Sequence, residues 1–241
     1  MPIKINKLES ARFGIVVANV VDNESKLSEI NISAKKQNVN LLTQRINVGN
    51  LTLFHSLEED GYRLMDTLVC YQRRISKPPT TVVPIDDVKY RFANQDDTMA
   101  VADLARGAFQ SYFGHYHADT RLDNGAADAV YIDWATKSTA GVSVKAPVLL
   151  AEFGKEIVGF ITFEHYSSRK KTKLLLSAVH TDFQGHGLYK ALVAATFNHA
   201  QTAGTSLLSV STQINNYAVQ GVWAQLGFVH VSSLYTMHKW Y

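Results

Sequence analysis

The run Val179-His180-Thr181-Asp182-Phe183-Gln184-Gly185-His186-Gly187-Leu188-Tyr189 has the residue types and spacing to hold an anion. It joins the apolar strand pattern Leu174-Leu175-Leu176-Ser177-Ala178-Val179 to the helical pattern that continues through Ala191-Leu192-Val193-Ala194-Ala195. A glycine turn at such a junction leaves the N–H groups of the first helical turn unpaired, and the helix dipole adds positive potential there. Pyrophosphate is the anion this reading favours. A Walker loop is excluded, because Gly187 is followed by Leu188 and Tyr189 and not by Lys and then Ser or Thr. The dinucleotide fingerprint is excluded too, since only Gly185 and Gly187 fit its three-glycine frame.

A second group of reactive types lies in Ser111-Tyr112-Phe113-Gly114-His115-Tyr116-His117-Ala118-Asp119-Thr120-Arg121, where aromatic rings alternate with histidines that titrate near neutrality. His115, His117 and Asp119 resemble a metal-ligand set, but no further Cys, His, Asp or Glu cluster completes a tetrahedral site, so no metal is expected. Contact with a reacting molecule and a purely structural loop both remain open for these histidines. His180 reads as exposed, and Tyr131 with Trp134 as a core face at i and i+3. The single cysteine, Cys70, excludes an internal disulfide and reads as a buried, inert thiol.

These residues need elements to position them. The chain has 241 residues, 46% hydrophobic and 19% charged, which suits a soluble globular protein with one large core or two smaller ones. No apolar run approaches a membrane span, the start Met1-Pro2-Ile3-Lys4 shows no signal core, and the cytoplasm is the expected location. A net charge of +3 with only short basic clusters, Lys35-Lys36 and Arg169-Lys170-Lys171, argues against nucleic acid as a partner. Pro78, Pro79 and Pro84 mark a linker, giving a segment over 1–77, a linker over 78–87 and a second domain over 88–241. In that domain strands are expected near Val88–Phe92, Val148–Phe153, Val158–Tyr166, Lys173–Val179 and Ser206–Ser211. Helices are expected from Asp96 or Asp97 to Phe109 with Asp96 as N-cap, at about 126–137, 187–203 and 218–226, with closing strands to Trp240. Leu57 to Arg63 followed by Leu68 to Arg73 echoes Trp223 to Val229 followed by Leu234 to Lys239, each reading as helix, Gly-aromatic turn and strand.

The glycine turn resembles the Q/R-x-x-G-x-G/A signature of the GNAT acyltransferases, with Gln184, Gly187 and the strand-ending Val179 in register and Tyr189 where the last small residue stands. A second mark is Asn216 followed by an aromatic residue at Trp223 and then Gly227-Phe228. The resemblance implies an α/β fold with a mixed sheet and acyl-coenzyme A as the owner of the pyrophosphate; the internal echo reads either as an N-terminal degenerate half-copy that extends the sheet or as a common helix-turn-strand motif recurring by chance. It places Gln184, Gly185, His186, Gly187, Leu188 and Tyr189 at the pyrophosphate, backbone N–H groups of Ser177, Ala178 and Val179 at the pantetheine and thioester, and Asn216 and Trp223 along the cofactor channel. The family has a Tyr at the position of Trp223, which hydrogen-bonds the leaving thiolate. An indole N–H donates a hydrogen bond but delivers no proton near neutral pH, so Tyr217 and Tyr189 stand as substitute partners. The strand Lys173-Leu174-Leu175-Leu176-Ser177 also lacks the carboxylate base common in the family.

The whole chain is similar to a narrower group, the sugar-nucleotide N-acyltransferases of the dTDP-fucosamine acetyltransferase type. Ser10-Ala11-Arg12-Phe13-Gly14, the Gly61 unit, Tyr131 with Trp134, and Ser211-Thr212-Gln213 before Asn216 carry this likeness. It implies transfer of an acetyl or short hydroxyacyl group, such as 3-hydroxybutanoyl, from acyl-coenzyme A to the amine of a dTDP-linked amino-deoxysugar, in lipopolysaccharide or other surface-glycan synthesis. On this reading Arg12, Phe13, His115, Tyr116 and Arg121 contact the nucleotide sugar, while Ser177, His117, Asp119 and Tyr217 serve catalysis by direct attack. A homodimer is an open expectation. The alternatives are a GNAT enzyme acting on a protein or other small-molecule amine, and a non-catalytic coenzyme A-binding relative.

Overall fold

The computed structural model describes residues 1–75, 85–110 and 112–241, so the proline-rich core of the expected linker, 78–84, lies outside the described residues. In chain order the elements are β1 (Ile3–Ile5), α1 (Lys7–Phe13), β2 (Val17–Val20), α2 (Leu27–Lys36), β3 (Leu41–Asn47), α3 (Leu51–Glu59), β4 (Arg63–Arg74), β5 (Val88–Phe92), α4 (Thr98–Phe109), α5 (Asn124–Ala140), β6 (Val148–Phe153), β7 (Glu156–Tyr166), β8 (Lys171–Val179), α6 (Leu188–Thr202), β9 (Leu207–Gln213), α7 (Tyr217–Gln225) and β10 (Val229–Trp240). The fold is mixed α/β, with parallel and antiparallel pairs in its sheet. Two compact units are present, and neither is contiguous in sequence. One comprises Met1–Val69, Phe113–Ala127 and Ser232–Tyr241, the other Cys70–Tyr112 and Asp128–Val231.

In the first unit the strand order is β1-β2-β3-β10. β2 and β3 run parallel from Val17↔Leu41, and β10 lies antiparallel on the other side of β3, from Leu234↔Asn47 to Trp240↔Leu41. This pairing is why the stretch 232–241 packs with the N-terminal residues. Ile30 and Ala34, one helical turn apart on α2, are fully buried with Leu42, Ile46, Leu57 and Met237. A smaller cluster joins Val17, Leu41 and Leu122, with Phe13, Ile15, Tyr116 and Trp240 packed against it.

In the second unit the order is β4-β9-β8-β7-β6-β5. The β7 run Val158-Gly159-Phe160-Ile161-Thr162-Phe163 is buried throughout because helices cover both faces. Phe160 packs with Val101, Leu104 and Phe109 of α4, while Ile161 and Phe163 pack with Leu188 and Leu192 of α6. Full burial of side chains of this size stabilises by about 1.5–3 kcal/mol each. Gly159 lets α6 come this close, since a Cβ there would lie 2.9 Å from Leu192 Cδ1 and 3.4 Å from the Ala178 carbonyl oxygen.

Some local expectations are corrected. Asn94, and not Asp96, is the capping residue, and it caps the 3₁₀ turn Gln95–Asp97 that leads into α4: Asn94 accepts from the Asp96 N–H at 2.7 Å, and Asp97 accepts from the Asn94 N–H at 2.8 Å. Asp97 is placed for this by a two-pronged ion pair with Arg91, which also reaches Glu152, and these bonds hold its carboxyl below the usual range. Asp96 itself is exposed. Cys70 is half-buried and not buried. Tyr131 stacks on Phe109 at 5.0 Å, but Trp134 is 38% exposed, so the two do not share a core face.

The internal echo extends well beyond the helix-turn-strand unit. β3, α3 and β4 match β9, α7 and β10 in length, and Asn50 and Asn216 cap the two helices by accepting from Leu53 and Val219. Gly61 and Gly227 follow at φ 87° and 77°, and the Tyr62 and Phe228 N–H groups donate to the Leu57 and Trp223 carbonyls. Upstream, the Val39 and Thr205 N–H groups return to the Ala34 and Ala200 carbonyls at the ends of α2 and α6. The copies diverge before those helices. β2 ends at Val20 and reaches α2 through Val21–Lys26, which carries Asp22 and Glu24 and no glycine. Asn23 in that connection donates to the Arg45 carbonyl at 2.9 Å and accepts from Gln44 Nε2 at 3.0 Å, closing the edge of β3.

Candidate active site

In the second unit β8 and β9 pair only from Lys171↔Leu207 to Lys173↔Ser209, and beyond this the strands part. On its other side β8 stays paired with β7, through Ser177↔Ile161, Ala178↔Phe160 and Val179↔Gly159. The His180 N–H donates to the Val158 carbonyl of β7 at 2.9 Å. Because N–H direction alternates along a strand, Ala178 also points at β7, while Ser177 and Val179 present theirs to the open edge. The expected trio therefore divides. Two of its three N–H groups are available there.

The open strand leads through the 3₁₀ turn Thr181–Phe183 into Gln184, whose Nε2 donates to the Val179 carbonyl at 3.2 Å. Gly185 and Gly187 adopt φ 79° and 84°, and a Cβ on either would meet nothing within 4 Å. The left-handed backbone is thus what calls for glycine here. α1, α3 and α7 each begin at an Asn whose side chain accepts from the first turn, whereas α6 begins at Gly187 with no side-chain cap. Its first intrahelical bond runs from the Ala191 N–H to the Gly187 carbonyl, so the N–H groups of Leu188, Tyr189 and Lys190 open the helix toward an external acceptor. His186 is exposed beside them.

Tyr189 and Trp223 form one contact. Trp223 is 2% exposed and its Nε1–H donates to the Tyr189 phenolic oxygen at 2.8 Å. Burial pushes the Tyr189 hydroxyl up to about 12, against the opposing pull of the Trp223 N–H and of the Ser177 side chain. Tyr71 supports the indole at 5.4 Å between rings and donates to Gln220 Oε1 at 3.2 Å. Asn216 is engaged on both sides of its amide, accepting from Val219 N–H at 3.4 Å and donating to Thr212 Oγ1 at 3.1 Å. Tyr217 is 76% exposed.

The remaining expected residues lie in the first unit. Asp119 is buried and its carboxylate is saturated. Oδ2 accepts from His238 Nδ1 at 2.9 Å and Trp240 Nε1 at 2.8 Å, while Oδ1 accepts from the Arg121 N–H at 3.2 Å and Nε at 3.4 Å. Burial alone would raise its pKa, but the donors prevail and hold the carboxyl far below the usual range. Asp119 thus orients its neighbours instead of accepting a proton. His238 Nε2 meets His115 Nδ1 at 3.0 Å. Since His238 donates through Nδ1, its Nε2 is the acceptor and His115 donates from Nδ1. Burial, followed by the fields of His238, Arg45 and His117, holds His115 well below its ordinary value. Tyr116 lies 5.3 Å from Phe13 between ring centres, and Arg12 pairs with Glu9 at 2.6 Å. His117 accepts from the Gly114 N–H at 3.1 Å, and Arg121 lies over Trp240 at 4.8 Å. Among the described residues no group of three or more His, Cys, Asp or Glu is placed to hold a metal ion.

His238 and Trp240 were not anticipated. Their alternation on the closing strand, which aims both side chains at one face, was the available signal. No helix among the described residues is long and apolar enough to cross a membrane.

The acetyltransferase (GNAT) family model matches residues 100–228, more than half of the chain, and the chain belongs to that family. No curated protein matches it in sequence. Among solved structures it is similar to a GCN5-related N-acetyltransferase from Sphaerobacter thermophilus, at 12% identity and TM-score 0.67 over 99% of this chain and 76% of that one. It is also similar to a GCN5-related N-acetyltransferase from Kribbella flavida, at 11% identity and TM-score 0.64 over 93% and 81% of the two chains. A tandem GNAT protein from the clavulanic acid biosynthesis pathway gives 13% identity and TM-score 0.64 over 93% and 75%. These likenesses concern the fold.

Proposed function

We propose that this acyltransferase uses acyl-coenzyme A and transfers the acyl group directly to a primary amine. The observation that carries the reading is the continuous open backbone of the second unit: the Ser177 and Val179 N–H groups on the parted edge of β8, then the Gly185–Gly187 turn, then the uncapped start of α6. These fit an amide-bearing arm that ends in a pyrophosphate. Ser177 and Val179 would bind the arm and the thioester oxygen, where an N–H aimed at developing negative charge lowers the barrier. Gln184 to Tyr189 would hold the phosphates. Coenzyme A supplies the activated acyl group as its thioester.

For the acceptor we infer the amine of a dTDP-linked amino-deoxysugar, with acetyl or a short hydroxyacyl group as the donor. The support is the order of motifs along nearly the whole chain. Within the first unit, His115 and Asp119 are occupied by the hydrogen bonds described above, whereas Phe113 is 58% exposed and open to contact. Isothermal titration with acetyl-coenzyme A, followed by thiol release with nucleotide aminosugars, free aminosugars and lysine peptides, tests both levels. Micromolar coenzyme A binding with turnover on a nucleotide aminosugar is expected. Turnover confined to peptides overturns the acceptor, and absence of coenzyme A binding overturns the whole reading.

A further inference from the structure

We propose that Ser209, Ser211 and Gln213 of β9 form a subsite for the ring hydroxyls of the acceptor. This rests on the acyl-transfer reading and deepens its acceptor. A strand covered on both faces is ordinarily apolar on both. β9 is largely apolar on one: Leu208 and Val210 are buried in the cluster that holds Leu192 of α6 and Trp223 of α7, and Thr212 accepts from Asn216 at 3.1 Å. At period two, Ser209, Ser211 and Gln213 take the other face. That face is turned to α4, since the hydroxyl of Tyr112, just past its end, donates to Gln213 Oε1. Ser209 and Gln213 are 6% and 8% exposed, so two of the three polar residues stand where a core would be apolar.

The fold leaves most of these groups unused. Among the described residues the Ser209 hydroxyl is buried without a hydrogen-bond partner, a cost that Ala at this position would avoid. Ser211 is half-buried, and among the described residues its hydroxyl has no hydrogen-bond partner either. The Gln213 carbonyl accepts from the Asn216 N–H at 3.0 Å and its Oε1 from Tyr112, which leaves its two amide N–H groups to donate. β8 and β9 stop pairing at Lys173↔Ser209, so Ser211 and Gln213 stand on the parted segment, across from the β8 edge assigned to the thioester. A hydroxyl-bearing ring suits this set, because serine and sugar hydroxyls each donate and accept while the amide donates. The three side chains carry no charge, and the cation beside them is the exposed Lys173 at the paired end, so phosphate or carboxylate suits them less. Tyr112, 4.7 Å from Tyr131 between ring centres, offers an aromatic wall for the C–H face of the sugar. Rotation of Ser209 about its Cα–Cβ bond, from one staggered well to another, turns its hydroxyl toward a ring bound at Ser211.

The experiment uses the full chain with Ser209→Ala and Ser211→Ala, acetyl-coenzyme A as donor, and two acceptors: a dTDP-linked amino-deoxysugar and its counterpart lacking the ring hydroxyls. In each variant kcat/KM for the hydroxylated acceptor should fall about 10-fold, the size of one lost hydrogen bond to a ligand. The preference for that acceptor over its counterpart should fall by the same factor. Tm should hold or rise, because neither hydroxyl is paired inside the protein and its removal relieves a buried polar group. That combination separates a ligand contact from a structural one, whose loss lowers Tm. A fall in Tm alongside the loss of activity, equal losses on the two acceptors, or unchanged kcat/KM in both variants overturns the subsite and leaves the acyl-transfer reading standing. Absence of turnover on either acceptor by the parent protein overturns the subsite together with the aminosugar reading.

Discussion

Replacing Asp119 separates what its charge does from what its shape does. The carboxylate receives four hydrogen bonds, two from the buried donors His238 Nδ1 and Trp240 Nε1 and two from the exposed Arg121. In Asp119→Asn the amide oxygen can stay with His238 and Trp240, while the NH2 turns to Arg121, which water can satisfy. Two buried bonds then lose charge assistance, each falling from about 1.5–3 to about 0.5–1.5 kcal/mol, for a total near 2 kcal/mol. In Asp119→Ala both buried donors lose their acceptor, and breaking such a buried pair costs about 3–5 kcal/mol. Urea denaturation at pH 7 should therefore rank the proteins parent, Asn, Ala, with Tm falling by about 2–4 °C for each kcal/mol. The sign with pH follows from the depressed carboxyl: its contribution is present above the unfolded value near 4 and is lost as pH falls toward the folded one, so the gap between parent and Asn should narrow below about pH 4. Equal stabilities of Asn and Ala, or an Ala variant within about 0.5 kcal/mol of the parent, would refute the reasoning.

Three further outcomes are expected. His115 is held neutral well below its ordinary value, so the unfolded chain takes up a proton first as pH falls. Stability should drop by up to about 1.4 kcal/mol per pH unit below pH 6.5, and His115→Gln should flatten that slope in thermal scans from pH 7 to 5. Gly159→Ala puts a Cβ 2.9 Å from Leu192 Cδ1 and should destabilise by about 1–3 kcal/mol in chemical denaturation, with Leu192→Ala in the same chain removing the clash. Gly187→Ala meets no steric obstacle but forces φ 84° on a residue with a Cβ, so a loss of about 1–2 kcal/mol in stability should accompany weaker coenzyme A binding by calorimetry.

Features whose cause is local were legible in the sequence. The Gly185–Gly187 turn, the strand feeding it and the helix leaving it are all specified within twenty or so adjacent positions, where backbone conformation and hydrophobic period act directly. The Gly61 and Gly227 units were visible for the same reason, although the matched Asn50 and Asn216 caps and the return bonds at Val39 and Thr205 emerged only in the structure. Tyr189 and Trp223 were legible as two separate departures from a family pattern. That one hydrogen-bonds the other depends on how α6 and α7 lie in the second unit, which no local signal encodes. The Asp119–His238–His115 chain was hidden more deeply, since His238 is remote from the loop in sequence and its strand pairs with β3. Asp96 reads as a cap from sequence because composition marks acidic residues near a helix start without revealing that Arg91 recruits Asp97.

The pairing of β3 with β10 has a consequence for biosynthesis. The first unit draws its last strand from 232–241, so a nascent chain that has emerged through α3 holds most of that unit's residues and an unfinished β3 edge. Domains commonly fold in order of emergence, but here the unit begun first must wait for β10, whereas the residues of the second unit have all been made by Val231. The order of completion on the ribosome is thereby reversed. An exposed β3 edge during that interval is the point at which a chaperone, or a neighbouring nascent chain, would compete with β10.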